Sequence, residues 1–141
     1  MFDKVLKHLF PKDYRVFAYK RFVIALLRTI HIVCFSILVG GFFFQQDQSL
    51  LVPWFIGTML SGMLMFLIDI YGSCIILFEV RGISILLKLL ILFWMPLLSQ
   101  NIQIALLMFL IVLSSYISHT TRNVRHKTFM PDSFMQKYGL K

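Results

Sequence analysis

The chain has 141 residues, of which 59% are hydrophobic and 14% are charged. Water-soluble domains are typically about 45–50% apolar and about 25% charged, so this composition excludes an ordinary soluble enzyme and an ordinary soluble nucleic-acid-binding module. The 14 Lys and Arg residues outnumber the six Asp and Glu residues and give a formal net charge of +8. Most of these basic residues lie outside the apolar runs.

The N-terminal segment, residues 1–21, has apolar residues at helical spacing with lysines between them, until Pro11 interrupts the pattern. Such a segment predicts a short interfacial helix that lies along anionic lipid headgroups, or alternatively packs on a partner protein. Asp13 can accept hydrogen bonds from exposed N–H groups, which predicts a second short helix from Tyr14 to Lys20.

Four apolar runs follow this segment. A hydrocarbon core about 30 Å thick requires roughly 20 apolar residues in a helix. The sequence predicts spans over about 22–44, 50–70, 83–98 and 102–118, with Pro53 in the first turn of the second span. Backbone groups in lipid must be satisfied within a segment, and the alternation of β-barrel strands is missing. We therefore predict an all-α, polytopic membrane protein whose domain 22–118 is a four-transmembrane-helix bundle.

Basic residues are concentrated before the first span, in the middle connection and in the tail over 119–141, whereas the first and third connections have none. This asymmetry predicts that both termini and the middle connection face the cytoplasm, with the chain in the cell inner (plasma) membrane. Because topology already requires positive charge there, we expect no nucleic-acid partner. The bilayer and its anionic headgroups are the expected partners, with other membrane subunits or a homo-oligomer as further candidates.

Ionisable residues at membrane depth are costly, and they are therefore functional candidates. Those inside or at the rim of the spans are Arg28, His31, Asp69, Glu79, Arg81, Lys88 and His119. Counting residues along each span predicts that His31, Asp69 and His119 lie at one level, in the cytoplasmic third.

One interpretation of these residues is a satisfied polar layer that fixes the register of the helices. In this layer Asp69 pairs with Lys88 or Arg28, and Glu79 pairs with Arg81.

A sharper interpretation is a cofactor site in which His31 is an axial ligand of haem b. His119 or Lys88 then lies opposite His31 or close to a propionate. A third idea uses the Met59, Met63 and Met65 thioethers as Cu(I) ligands. Methionine is also an ordinary packing residue, and for these three we expect packing.

Two stretches carry a resemblance to known families. These are Arg28-Thr29-Ile30-His31 followed by Gly40-Gly41-Phe42, and the stretch from Gly82 through Lys88 to Leu90 that opens the third span. Together they resemble the copper-resistance D (CopD-like) family and, more distantly, the HemJ type of protoporphyrinogen oxidase. The resemblance implies a four-span fold and implicates His31 and Lys88 as haem-site residues. HemJ-type proteins have an aromatic and proline-rich stretch after the first-span histidine, which this chain lacks.

The sequence contains no nucleophile elbow and no phosphate-binding glycine loop, so it leaves open whether the chain is an enzyme. The leading expectation is a haem-b- or copper-handling membrane protein that uses His31, with Lys88, His119 and Arg28 in support. The alternatives are a non-catalytic accessory subunit or scaffold, and a small oligomeric proton-coupled transporter that uses Asp69.

Overall fold

The computed structural model describes residues 9–11, 14–121, 124 and 127–129. Within these ranges the chain is helical and contains no β-strand, only an isolated β-bridge between Glu79 and Thr128. The four long helices are α1 (Lys20–Phe43), α2 (Gln48–Gly72), α3 (Val80–Trp94) and α4 (Gln100–His119), with short 3₁₀ turns at Cys74–Phe78 and Met95–Leu97. The predicted all-α fold with four helices is confirmed.

Each helix is long and apolar enough to cross a bilayer, with α3 extended by the turn that follows it to give Val80–Leu97. Only 11–22% of the most apolar window of each span is buried inside the protein. Most of the apolar surface therefore faces outward, where water would not solvate it favourably and lipid does. The chain is a multi-pass membrane protein.

The turn between α1 and α2 is tight and well capped. Gln45 adopts a left-handed conformation with φ 53°, the Gln46 N–H donates to the Gly41 carbonyl at 2.9 Å, and the Gln45 N–H donates to the Phe42 carbonyl at 3.2 Å. This pattern is a Schellman motif, which satisfies the last carbonyls of α1. The Asp47 side chain then accepts a hydrogen bond from the Ser49 N–H at 3.0 Å and begins α2.

The position of Pro53 in α2 differs from the prediction. Because α2 begins at Gln48, Pro53 lies inside the helix rather than in its first turn. At this position proline cannot donate the backbone hydrogen bond to the residue four positions earlier.

The helices are arranged in sequence order around the bundle. The contacting neighbours are α1 with α2, α2 with α3, α3 with α4, and α4 with α1, so α1 and α3 are diagonally opposite. We call the end where α1 and α3 begin and α2 and α4 end the basic end. The half away from it contains the hydrophobic core, which includes Leu38, Leu51, Leu92, Met95 and Leu107. This half contains a small pocket of about 90 Å³, and the half near the basic end contains a larger cavity.

The segment before α1 differs from its prediction. Tyr14 to Phe17 are not helical, a turn precedes α1, and Tyr19 has a left-handed φ of 64°. The Arg15 N–H instead donates to the carbonyl of Gly72 at the end of α2, at 3.1 Å. A bond to another element replaced the local helical bonds, so the predicted helix from Tyr14 to Lys20 is wrong. The predicted interfacial helix and Asp13 fall mainly on residues 1–8 and 12–13, which lie outside the described residues, as does most of the tail.

The connection between α2 and α3 is covered by both ends of the chain. The Val80 N–H donates to the Lys127 carbonyl at 3.1 Å, and the Phe129 N–H donates to the Phe78 carbonyl at 3.0 Å. From the N-terminal side, the Phe10 ring lies 6.4 Å from the Phe78 ring, centroid to centroid. These contacts hold the start of α3 at the basic end.

Gly82, in the first turn of α3, provides a test of this arrangement. A Cβ atom at this position would overlap the carbonyl oxygen of Ile76, which is backbone and cannot rotate away. We expect Gly82→Ala to destabilise the protein by about 1–3 kcal/mol, the range for overpacked sites. A lower midpoint of thermal denaturation in detergent would show this effect.

Gly40→Ala is the matched control, since a Cβ atom there meets nothing within 4 Å. Alanine also favours helix by up to about 1 kcal/mol relative to glycine, so the control should match or exceed the wild type. Equal denaturation midpoints for Gly82→Ala and the wild type would contradict the close approach of α3 to the preceding turn.

Candidate functional site

A cavity of about 460 Å³ lies between the four helices in the half near the basic end. Its volume falls within the roughly 300–1,000 Å³ of small-molecule sites in proteins. Five of the residues predicted from the sequence line it, namely Arg28, His31, Asp69, Arg81 and Lys88. The remaining lining is mainly apolar and comes from all four helices.

The five residues lie at different depths. At a rise of 1.5 Å per residue, His31 is about 17 Å from the start of α1, and Lys88 is about 12 Å from the start of α3. Asp69 is only about 5 Å from the end of α2, which is at Gly72. The expectation that His31, Asp69 and His119 share one level is therefore wrong. His119 is the last residue of α4, is exposed, and is not among the residues that line the cavity.

His31 is held by α2 through one ring nitrogen. Its Nδ1 atom lies 3.0 Å from the Thr58 carbonyl oxygen and 3.0 Å from the Ser61 hydroxyl oxygen. A carbonyl only accepts, so the hydrogen of the neutral imidazole is on Nδ1 and donates to Thr58. Ser61 uses its own hydrogen on the Gly57 carbonyl at 2.6 Å and leaves a lone pair toward His31. Nε2 of neutral His31 therefore carries an unprotonated lone pair.

Small residues on α2 allow α1 and its His31 side chain to come close to α2. A Cβ atom at Gly62 would lie 3.2 Å from Cε1 of His31, and one at Gly57 would lie 2.8 Å from the Cys34 sulfur. On the other side, the Phe35 ring is nearly parallel to the imidazole, at 4° and 6.2 Å between centroids. The Gly57 and Ser61 spacing is visible in the sequence as a small-residue pair. The sequence did not indicate Thr58 or Gly62. Thr58 acts through its backbone carbonyl and Gly62 through its lack of a side chain, and neither feature is visible as a chemical motif in the sequence.

The charged residues around the cavity are only partly paired. Arg81 and Glu79 form the predicted ion pair, with 3.6 Å between a guanidinium nitrogen and Oε2. Asp69 does not pair with Lys88 or Arg28, and no described cation lies within 4.0 Å of its carboxylate. Among the described residues, three cationic side chains and one carboxylate thus line the cavity.

The structure does not favour a metal site built from protein ligands alone, whether from His, Cys, Asp and Glu or from the three methionines. Among the described residues there is no cluster of three or more His, Cys, Asp or Glu that could hold a metal ion. Of the three methionines, Met59 packs against the hydrophobic core, Met63 is 52% exposed, and Met65 lines the cavity. Their thioethers do not converge on one point.

Comparison with protein-family models, with curated proteins and with solved structures finds no match to this chain. The resemblance to the CopD-like and HemJ-type proteins therefore stays an expectation.

Tyr14, at the basic end, gives a prediction about pH. Burial, and then the negative charge of Glu79, raise the pKa of the Tyr14 phenol above its ordinary value of 10.0, and a hydrogen bond to Glu79 acts in the same direction. The neutral phenol is thus favoured in the folded protein, and any stability that this gives is lost as pH rises through the raised pKa. We expect the ultraviolet difference titration between wild type and Tyr14→Phe to have its midpoint above pH 10.

Glu79→Gln is the companion variant, because it removes the charge while keeping the shape. The Tyr14 midpoint should move down toward its ordinary value in this background. A Tyr14 component that titrates at its ordinary value in the wild type would contradict the contact between the N-terminal segment and Glu79.

Proposed function

We propose that this chain is a haem-b-binding membrane protein in which Nε2 of His31 is an axial ligand of the iron. The observation that carries the proposal is the hydrogen bond of Nδ1 to the Thr58 carbonyl. Ligating histidines almost always donate their second ring N–H to a carbonyl, carboxylate or water, which fixes the tautomer and the ring orientation. His31 has this arrangement and lines a cavity of suitable size.

The surroundings of His31 fit a flat, largely apolar ligand. Apolar residues such as Ile32, Phe35 and Leu89 line the same cavity. Lys88 comes from α3, which is diagonally opposite α1, and it is the candidate residue for contact with a propionate of the ligand. His119, which the sequence offered for this role, lies outside the cavity lining. Haem, when bound, supplies one-electron chemistry, and its potential depends on the axial ligands and on burial.

The protein's own contribution is to orient His31 through its hydrogen bond to the Thr58 carbonyl, and to exclude water from one side of the site. The half of the bundle that contains the hydrophobic core, with Leu92 and Leu110 at the boundary of the cavity, separates the site from the far end of the helices. A ligand therefore has access from the basic end or from the surrounding lipid. The positive charge of the basic end supports its assignment to the cytoplasmic face of the plasma membrane, with both termini there.

Absorption spectroscopy of the full chain in lipid nanodiscs tests the proposal. We expect added haem b to give a saturable shift of the Soret band, and His31→Ala to remove it. Loss of an outer-shell partner of a ligating histidine costs about 10–100-fold in affinity, so loss of the ligand itself should cost at least as much.

His119→Ala is the matched control, since this second histidine lies outside the cavity and its variant should bind haem as the wild type does. Size-exclusion chromatography shows whether each variant remains folded. A chain that gives no Soret shift, or a His31→Ala variant that binds haem as well as the wild type, contradicts the proposal. The polar contacts of His31 would then belong to the helix packing of a scaffold or accessory subunit.

A further inference from the structure

Arg81 has an unsatisfied donor beside the cavity. Its side chain lines the cavity where α3 begins, and its Nε atom is buried without a hydrogen-bond partner among the described residues. A buried donor without an acceptor is destabilising, and more so when the group is charged. This cost would be removed if a bound ligand supplied an acceptor.

Residues that lie outside the cavity hold Arg81 in this position. Glu79, only 4% exposed, lies 3.6 Å from the terminal guanidinium nitrogen of Arg81, and the Tyr14 side chain hydrogen-bonds to Glu79. The backbone of Glu79 is held in turn by its β-bridge to Thr128. The guanidinium is thus held through one terminal nitrogen by a carboxylate, and the same side chain lines the cavity.

Two more cations lie deeper along the same cavity. Arg28 and Lys88 are each about 12 Å along their helices from the basic end, between Arg81 at the rim and His31 at about 17 Å. Asp69 is the one carboxylate that lines the cavity in the part of the chain that the structure describes. An excess of positive charge at membrane depth is costly unless anionic groups neutralise it. The excess lies on the basic-end side of His31, not around it.

We infer that the cavity binds its ligand through carboxylates, with Nε of Arg81 as one donor and with Arg28 and Lys88 as further cations. The identity of the ligand rests on the proposed function, since haem b carries two propionate groups on an otherwise apolar ring. The ligand enters with its carboxylates toward the basic end and its ring toward His31. Glu79 and Tyr14 act as positioning residues, because they reach the ligand only through Arg81.

A test that does not involve iron separates this inference from the proposed function. Metal-free protoporphyrin IX carries both carboxylates, and its dimethyl ester carries neither. We expect fluorescence titrations of the full chain in phosphatidylcholine nanodiscs to show tighter binding of the free acid by about tenfold or more, since one hydrogen bond to a charged group is worth about 1.5–3 kcal/mol. Arg81→Gln should remove most of this preference and leave the affinity for the ester unchanged.

Three further variants test whether Arg81 and its supporting residues cause the preference. Arg21→Gln removes an exposed cation at the start of α1 that does not line the cavity, and it should keep the full preference. Glu79→Gln and Tyr14→Phe keep Arg81 but loosen its support, so they should reduce the preference by a smaller factor than Arg81→Gln does. Equal affinity for acid and ester in the wild type, or an unchanged preference in Arg81→Gln, overturns the inference.

The remaining outcomes are also distinguishable. If Arg81 controls the acid-over-ester preference while His31→Ala leaves the haem spectrum unchanged, the carboxylate site stands and the proposed axial ligand fails. If phosphatidylglycerol in the nanodisc displaces protoporphyrin IX from the wild type but not from Arg81→Gln, the cavity binds a lipid phosphate and the carboxylate assignment is overturned. If neither porphyrin binds, both proposals fail.

Discussion

The absence of water around most of this chain is the constraint on which the rest of the structure depends. At most 22% of the best window of any span is buried in protein, so lipid covers the helices and drives little association between them. The helices are held together instead by close backbone approach and by hydrogen bonds that find no competitor in hydrocarbon. The contact of His31 with Thr58 and Ser61 is of this kind, and it joins α1 to α2 deep in the bilayer.

The same constraint divides the bundle into two halves. Away from the basic end, the helices meet through apolar side chains such as Leu38 and Leu107, and the single buried amide of Gln103 there is anchored to the Met95 carbonyl at 3.0 Å. Near the basic end, Arg28, Asp69 and Lys88 face a cavity rather than the packed core. Charged groups that enter a bilayer need a polar or liganded space, and the half that lacks such groups contains the hydrophobic core.

The sequence predicted the parts of this architecture that depend on local pattern. Run length and hydropathy located all four spans, and the offset of Glu79 and Arg81 across the start of α3 predicted their pairing. It failed where distant backbone decides the outcome. The Gly72 carbonyl binds Arg15, and no helix forms over Tyr14 to Phe17. The Asp47 cap begins α2 at Gln48, so Pro53 lies inside the helix rather than in its first turn. The exclusion of His119 from the cavity depends on how far α4 extends, which composition does not reveal.

The Glu79 and Arg81 pair, in which the carboxylate is buried and the guanidinium is partly exposed, lies between the closed basic end and the cavity. An isolated ion pair contributes little to stability on its own, whether exposed or buried, so its presence needs another reason. Here the carboxylate is bound to Tyr14 from the N-terminal segment, the neighbouring backbone is bound to the C-terminal segment, and the guanidinium borders the cavity. The pair therefore connects both ends of the chain to the cavity rim. Removal of the pair would affect both the orientation of the Arg81 guanidinium toward the cavity and the stability of the fold. An apolar replacement could preserve the stability but not the orientation.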